Sequence, residues 1–330
     1  MSSLLSLDKR TYLVTGVLNN ESIAWHVAAA LQREGCEVIL TSYGRVGRIT
    51  RRVAELLPSR PEVLELDVMS DASVDELAEA IGSRWGQLDG VLHSIAAAPP
   101  DALGAGFVTA AAGGVLDGFR ASAYSFQQLT TALSPLLSQA PGGGAVVGLT
   151  VDSTRALPGY GWMGVYKSAL EAVCRYLAMH LGPTGIRVNL VAAGPVETVS
   201  ARGVRTFSAL ADQYERWAPL GWDRADPARV VGAVLFLLSD LSRYTTGQVV
   251  HADGGMHAVF GGVPAPGPAA APDRLRPRGQ PRFRRHRRHQ TPPADTHCGE
   301  GLCVSSSKAR PSHLWGSSTS RRRSTTRTGR

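Results

Sequence analysis

From residue 11 onward the chain alternates short β-branched apolar runs with longer stretches whose apolar positions recur every three or four residues. That alternation predicts strands of a parallel sheet joined by crossover helices. "TYLVTG" (11–16) reads as the first strand and "SIAWHVAAALQREG" (22–35) as the first helix, ended by Gly35. "EVILTS" (37–42) is the second strand, followed by the Arg-rich helix "GRITRRVAELL" (47–57). "EVLELDV" (62–68) is the third, followed by "SVDELAEAIGSRWG" (73–86). "GVLHSIA" (90–96) is the fourth, leading to one long helix that ends near "LTTALSPLLS" (129–138). "GAVVGLT" (144–150) is the fifth, and a helix from about Trp162 follows it. "IRVNLVAAGP" (186–195) is the sixth, "ARVVGAVLFLLSD" (228–240) another helix, and "GQVVHADGG" (247–255) the seventh strand. Strands that are apolar nearly throughout, rather than at alternate positions, are covered on both faces. The expected class is therefore α/β: a Rossmann-like, doubly wound parallel sheet of seven strands in a single domain. Such sheets bind ligands at the carboxyl ends of their strands, where the strand order reverses.

Composition divides the 330 residues in two. Residues 262–330 hold fourteen Arg and one Lys against two Asp and one Glu, a net of +12. The chain as a whole carries +8, so residues 1–261 carry −4. The basic end is rich in Pro, Arg, Ser and Gly, shows no apolar period, and cannot bury enough surface to offset the entropy of ordering. We expect a folded domain over 1–261 and a disordered basic tail over 262–330. A nucleic-acid or anionic-surface arm, an unstructured appendage and an out-of-frame translation of GC-rich DNA all stand open for that tail. The acidic body argues against nucleic acid as a partner, which would need a localised basic surface. Cys36, Cys174, Cys298 and Cys303 show no zinc or redox spacing and read as reduced thiols. The N-terminus lacks a signal-peptide hydrophobic region, and the longest apolar run, "VVGAVLFLL" (230–238), is too short to span a bilayer. A cytoplasmic protein without membrane or metal partners is the expectation.

The strand ends carry features suited to a dinucleotide. Gly16 stands at the turn after the first strand, and Ser22 and Ile23 open the following helix, whose N–H groups can hold a pyrophosphate. The second strand runs into "TSYGRVGR", with Tyr43, Arg45 and Arg48 and no acid. An acid there would accept from a ribose 2′-hydroxyl, whereas guanidinium suits a 2′-phosphate. NADPH is slightly favoured over NADH on that ground. Asp67 and Val68 end the third strand, where a carboxylate can bond an adenine amino group. Ser94, Ile95 and Ala96 end the fourth with a run of small residues that lets backbone approach a flat ligand. Gly194, Pro195, Val196 and Thr198 follow the sixth, near where nicotinamide and phosphate would lie.

Two tyrosines stand near one lysine in "GYGWMGVYKSALEAV" (159–173). Tyr166 is one residue from Lys167 and points about 100° away on a helix. Tyr160 is seven residues away, about 700°, so a helix already formed at Tyr160 would align both on one face, roughly 10 Å apart at Cα. Spacing nominates Tyr160.

The stretches "TGVLNNESIAWHVA", "LDV", "HSIAAAP", "YGWMGVYK", "NLVAAGPVETVSARG", "PLGW" and "TTGQVVHADGG" together resemble the divergent short-chain dehydrogenases that act as bacterial enoyl-acyl-carrier-protein reductases. The resemblance covers about residues 5 to 260. Its most specific element is Tyr160-x-x-Met163-x-x-x-Lys167, where ordinary ketoreductases of the superfamily would have tyrosine at 163. It implies hydride transfer from NAD(P)H to the β-carbon of a trans-2-enoyl thioester, on acyl-carrier protein or CoA. Tyr160 would hydrogen-bond the thioester oxygen, and Lys167 would hold the nicotinamide ribose. Tyr166 would pack or face a neighbouring subunit, and a homotetramer is implied. The rival readings are a ketoreductase or dehydrogenase on the same scaffold, and a non-catalytic dinucleotide-binding regulator.

Two departures from the family's pattern concern bulk. Thr150 and Val151 stand where an aromatic residue is common, and Ala96, Ala97 and Ala98 follow Ile95 where a glycine and a bulky residue are common. With Ala98, Val151, Tyr160, Met163 and Phe207 as the expected acyl-binding set, both changes imply a wider pocket, suited to a cyclic or branched acyl group. Residues 200–222 would form a flap over the acyl chain with Phe207, Leu210 and Trp217 lining it, or a plain amphipathic helix with a core face.

Overall fold

The computed structural model describes residues 5–260, apart from 200, 205 and the side chain of 202. The expected disordered tail over 262–330, with Cys298 and Cys303, lies outside the described residues. The described residues belong to one compact unit.

Seven parallel strands form one sheet in the order β3-β2-β1-β4-β5-β6-β7. They are β1 (Thr11–Val14), β2 (Glu37–Ser42), β3 (Glu62–Glu65), β4 (Gly90–His93), β5 (Ala145–Thr150), β6 (Arg187–Ala193) and β7 (Val249–Ala252). Helices α1 (Ile23–Arg33), α2 (Val46–Ala54), α3 (Asp71–Trp85), α4 (Ala112–Phe119), α5 (Ser125–Leu137), α6 (Trp162–Leu181), α7 (Phe207–Trp217) and α8 (Ala228–Leu238) connect or flank them. Alternate strand residues feed two cores. Tyr12, Val14, Val38 and Leu40 pack with Val27, Leu31, Val234 and Leu237 on the α1–α8 side. Leu13, Ile39, Val146 and Leu190 pack with Leu77, Phe126, Leu133 and Leu170 on the α3–α5–α6 side. This period of two with both faces buried is why the strands are apolar nearly throughout.

Local chemistry sets the helix ends. The Ser22 hydroxyl accepts from the Trp25 N–H at the start of α1, and Ser70 accepts from Ser73 at the start of α3, two residues earlier than the hydrophobic pattern suggested. Gly35 leaves α1 at φ +83°. The long helix expected before β5 is not uniform: a π-helical turn, Arg120–Tyr124, separates α4 from α5. Such turns insert one residue and re-aim the side chains beside them. Among the described residues no helix is long and apolar enough to cross a membrane.

The strand order reverses between β1 and β4, so the loops after these strands diverge and leave a crevice at the carboxyl edge. Thr15 ties the two together below it: its Oγ1 donates to Leu92 O (3.1 Å) and accepts from the Ser94 N–H (3.0 Å). Gly16 adopts φ +80°, and a Cβ there would lie 2.0 Å from the Ser94 carbonyl oxygen, so only glycine fits this crossing.

Candidate active site

A cavity of about 780 Å3 runs along the carboxyl ends of the strands. Its walls include Gly16, Ser22, Ile23, Tyr43, Asp67, Val68, Ser94, Ile95, Ala96, Ala98, Val151, Tyr160, Met163, Lys167, Gly194, Pro195, Val196, Thr198 and Phe207. Every site residue expected from the sequence is therefore on one surface except Arg45. That residue is exposed at the N-terminus of α2, off the cavity wall. Its long side chain follows the solvent side of the turn, where desolvation costs nothing.

The tyrosine–lysine geometry also needs correction. Tyr160 is not helical, because Gly161 beside it has φ +51° and ψ −131° and α6 begins only at Trp162. The two-turn argument therefore does not apply. A tight turn with Gly159 at φ +84° delivers Tyr160 to the cavity instead, packed between Thr206 and the 102–104 segment. A Cβ on Gly161 would lie 2.5 Å from Ala102 O, so this turn also depends on glycine. Burial pushes the Tyr160 hydroxyl up to about 12, which keeps it a protonated hydrogen-bond donor at neutral pH.

Lys167 is 8 % exposed and its Nζ donates to Leu149 O at 2.8 Å. Burial pulls it down to about 8, opposed in part by the charge of Glu171 one turn on. His93, at the end of β4, is fully buried and held down to about 3 by burial and by the Lys167 charge, so it is neutral. Its Nε2 lies 2.9 Å from Ser125 Oγ, which donates its own proton to Ala121 O.

Ser122, in the π-helical turn, is completely buried and clamps the small-residue loop after β4. It accepts from the Ala97 N–H at 2.9 Å and donates to Ala97 O at 2.7 Å. One side chain thus replaces the strand partner this loop lacks. After β6, Trp222 of "PLGW" donates from Nε1 to Pro195 O at 2.8 Å, and its ring lies where a Gly194 Cβ would be. Trp222 thereby shapes the 194–196 turn from 27 residues further along the chain.

Several wall residues were not expected. Gly114, Asp117, Gly118 and Ala121 line the cavity from α4 and the π turn. Their i, i+3, i+4, i+7 spacing was visible in the sequence as a stripe of small residues. Asn19, Thr41 and Ser42 line it from the nucleotide end. Of the expected flap residues, Phe207 lines the cavity, Leu210 belongs to the core, and Trp217 is off the wall. Tyr166 does not face outward: it is 1 % exposed, its hydroxyl donates to Val115 O at 2.9 Å, and its ring packs on Gly118. Cys36 and Cys174 are buried free thiols, both raised to about 12 by burial and therefore unreactive. Among the described residues no cluster of His, Cys, Asp or Glu is built to hold a metal.

Helix α1 opens toward one end of the cavity with Ser22 as its cap, Asp67 stands at the same end, and the Tyr160–Lys167 pair at the other. Lys167 is a buried cation facing a carbonyl, ready for hydroxyl acceptors.

Comparisons with known proteins identify the family. Residues 16–257 match the family model described as enoyl-(acyl carrier protein) reductase. A Mycolicibacterium smegmatis protein named enoyl-(acyl-carrier-protein) reductase (NADH) is 40% identical over 263 residues, covering 76% of this chain and 96% of the relative. One from Staphylococcus aureus, with NADPH in its name, is 38% identical over 261 residues, covering 78% and 100%. One from Escherichia coli, with NADH in its name, is 37% identical over 256 residues, covering 76% and 94%.

Proposed function

Since the chain belongs to the enoyl-(acyl carrier protein) reductase family, we propose that it reduces the α,β double bond of a trans-2-enoyl thioester with NAD(P)H, in fatty-acid or specialised acyl biosynthesis. The observation that carries this reading is the placement of Tyr160 and Lys167 on one cavity wall, with Met163 where a ketoreductase would need its tyrosine.

A nicotinamide held beside Lys167 would supply the hydride that the substrate's β-carbon receives. Tyr160 donates a hydrogen bond to the thioester oxygen and stabilises the negative charge that grows there. A hydroxyl raised to about 12 does this without giving its proton away beforehand. Lys167 donates to the ribose hydroxyls and adds positive potential beside the developing enolate. Asp67 would hold the adenine, and the α1 N-terminus the pyrophosphate. The apolar wall of Ile95, Met163 and Phe207 excludes water from the reacting carbons.

The acyl-carrier protein is the carrier we assign, with CoA as an alternative carrier of the same thioester. Ala98, Val151, Gly114 and Gly118 leave the acyl end broad, which supports a cyclic or branched acyl group. Leu116, Phe119, Val165, Tyr176 and Met179 are exposed apolar residues on α4 and α6, and support assembly as a homotetramer through these helices. The reading carries a cytoplasmic location with it, because the free acyl carrier and the reduced nucleotide are pools of that compartment.

The test is oxidation of NADH and NADPH by the full chain with a short trans-2-enoyl-CoA, beside Tyr160→Phe. We expect oxidation only with the enoyl substrate, and a loss of about 10²–10³ in kcat for the variant. Turnover without the enoyl substrate, or an unimpaired variant, would refute the assignment.

A further inference from the structure

The loop after β2 contains no acid in sequence, yet the fold supplies one. Glu65 ends β3 and is paired in register with Ser42, the last residue of β2. Its Oε1 accepts from the Gly44 N–H at 2.8 Å. Gly44 lies between Tyr43 and Val46, and both line the cavity, as do Leu66 and Asp67 beside Glu65. A carboxylate is thus fastened onto the turn that, in a doubly wound sheet, meets the adenosine ribose.

This contact has two consequences for a ribose substituent. A 2′-phosphate is held by backbone N–H groups and cations, and here the Gly44 N–H is already taken by a carboxylate oxygen. A dianionic phosphate at this turn would also face the like charge of Glu65. A 2′-hydroxyl meets neither obstacle and can donate to the same carboxylate. Arg45 and Arg48 stand on the solvent side, off the cavity wall, and their flexible stems in water are screened within about 10 Å at ordinary salt. Glu65 is exposed and off the cavity wall as well, but its carboxylate is tied to the turn by the Gly44 hydrogen bond.

We propose that Glu65 is the residue that selects the cofactor, favouring NADH and rejecting the 2′-phosphate of NADPH through the turn it holds at Gly44. This rests on the dinucleotide reading of the cavity and reverses the preference that Arg45 suggested from sequence alone.

Dissociation constants of NADH and NADPH, measured by calorimetry on the full chain without substrate, test it. Wild type should bind NADH at least about tenfold more tightly than NADPH, an order-of-magnitude expectation for one exposed like-charge contact. Glu65→Gln keeps an acceptor for the Gly44 N–H and removes the charge. It should tighten NADPH by about tenfold while moving NADH by less than about threefold, and raising the salt should shrink the wild-type discrimination. Retained NADH binding reports that the variant is folded. A wild type that prefers NADPH, or a Glu65→Gln variant with an unchanged ratio, would overturn the role of Glu65 and leave the nucleotide site standing. A wild type that binds neither nucleotide would overturn both.

Discussion

Replacing Lys167 with methionine should make the nucleotide-free protein more stable at pH 7, and the effect should reverse sign at high pH. Burial lowers the ammonium from 10.5 to about 8 in the folded chain. The folded state therefore binds this proton less tightly than the unfolded state does. The resulting penalty is full below pH 8 and disappears as pH rises from about 8 to 10.5. At 1.36 kcal/mol per pH unit, the gap between those values is about 3 kcal/mol. Methionine has a similar length and no charge, but leaves Leu149 O without its donor, a loss of about 1 kcal/mol. The variant should then exceed wild type by about 2 kcal/mol at pH 7 and fall below it by about 1 kcal/mol above pH 10.5. Cys36, Cys174 and the buried tyrosines titrate alike in both proteins, so the difference curve isolates Lys167. Urea unfolding followed by circular dichroism from pH 7 to 10.5, at one fixed protein concentration, measures it. The variant should also lose the stabilisation that added nucleotide gives wild type. A difference that does not change with pH, or a variant less stable at pH 7, would show that Lys167 is not a desolvated cation and would refute the reasoning.

Two other substitutions test the cavity walls. Gly118→Ala would place a Cβ 2.7 Å from the hydroxyl of the buried Tyr166, and should lower the urea-derived stability by about 1–3 kcal/mol; a neutral result would mean that α4 is free to move. Val151→Phe restores aromatic bulk at the acyl end. It should cut kcat/KM for a ring-bearing enoyl thioester by about tenfold or more, with a linear four-carbon substrate changed by less than about threefold, and equal losses on both would refute the broad-pocket reading.

Much of the site was readable because it lies at strand ends, and strands announce themselves. Gly16, Asp67, Ser94 and Gly194 follow apolar runs that can only be covered strands, and parallel crossovers bring every such end to one edge. The helical phase between Tyr160 and Lys167 was a sound calculation on a wrong premise, since Gly161 takes a non-helical backbone conformation and the helix starts only at Trp162, two residues after Tyr160. Tyr166 illustrates the same limit: its neighbour Val115 lies 51 residues away, and no local period reports that contact.

What the sequence determined by itself was the order of elements, the doubly wound class and the edge on which ligand chemistry collects. These follow from periods of two and 3.6 residues and from glycines at sharp turns, all of which are local. The tertiary structure alone decided which distant groups meet. Ser122 closes on Ala97 because a π turn rotates it inward, Trp222 shapes the turn at Gly194, and Glu65 reaches Gly44 because β3 pairs in register with β2. Hydrogen bonds form between atoms about 3 Å apart in space, whatever their separation along the chain, so a loop without an acid of its own could still receive one.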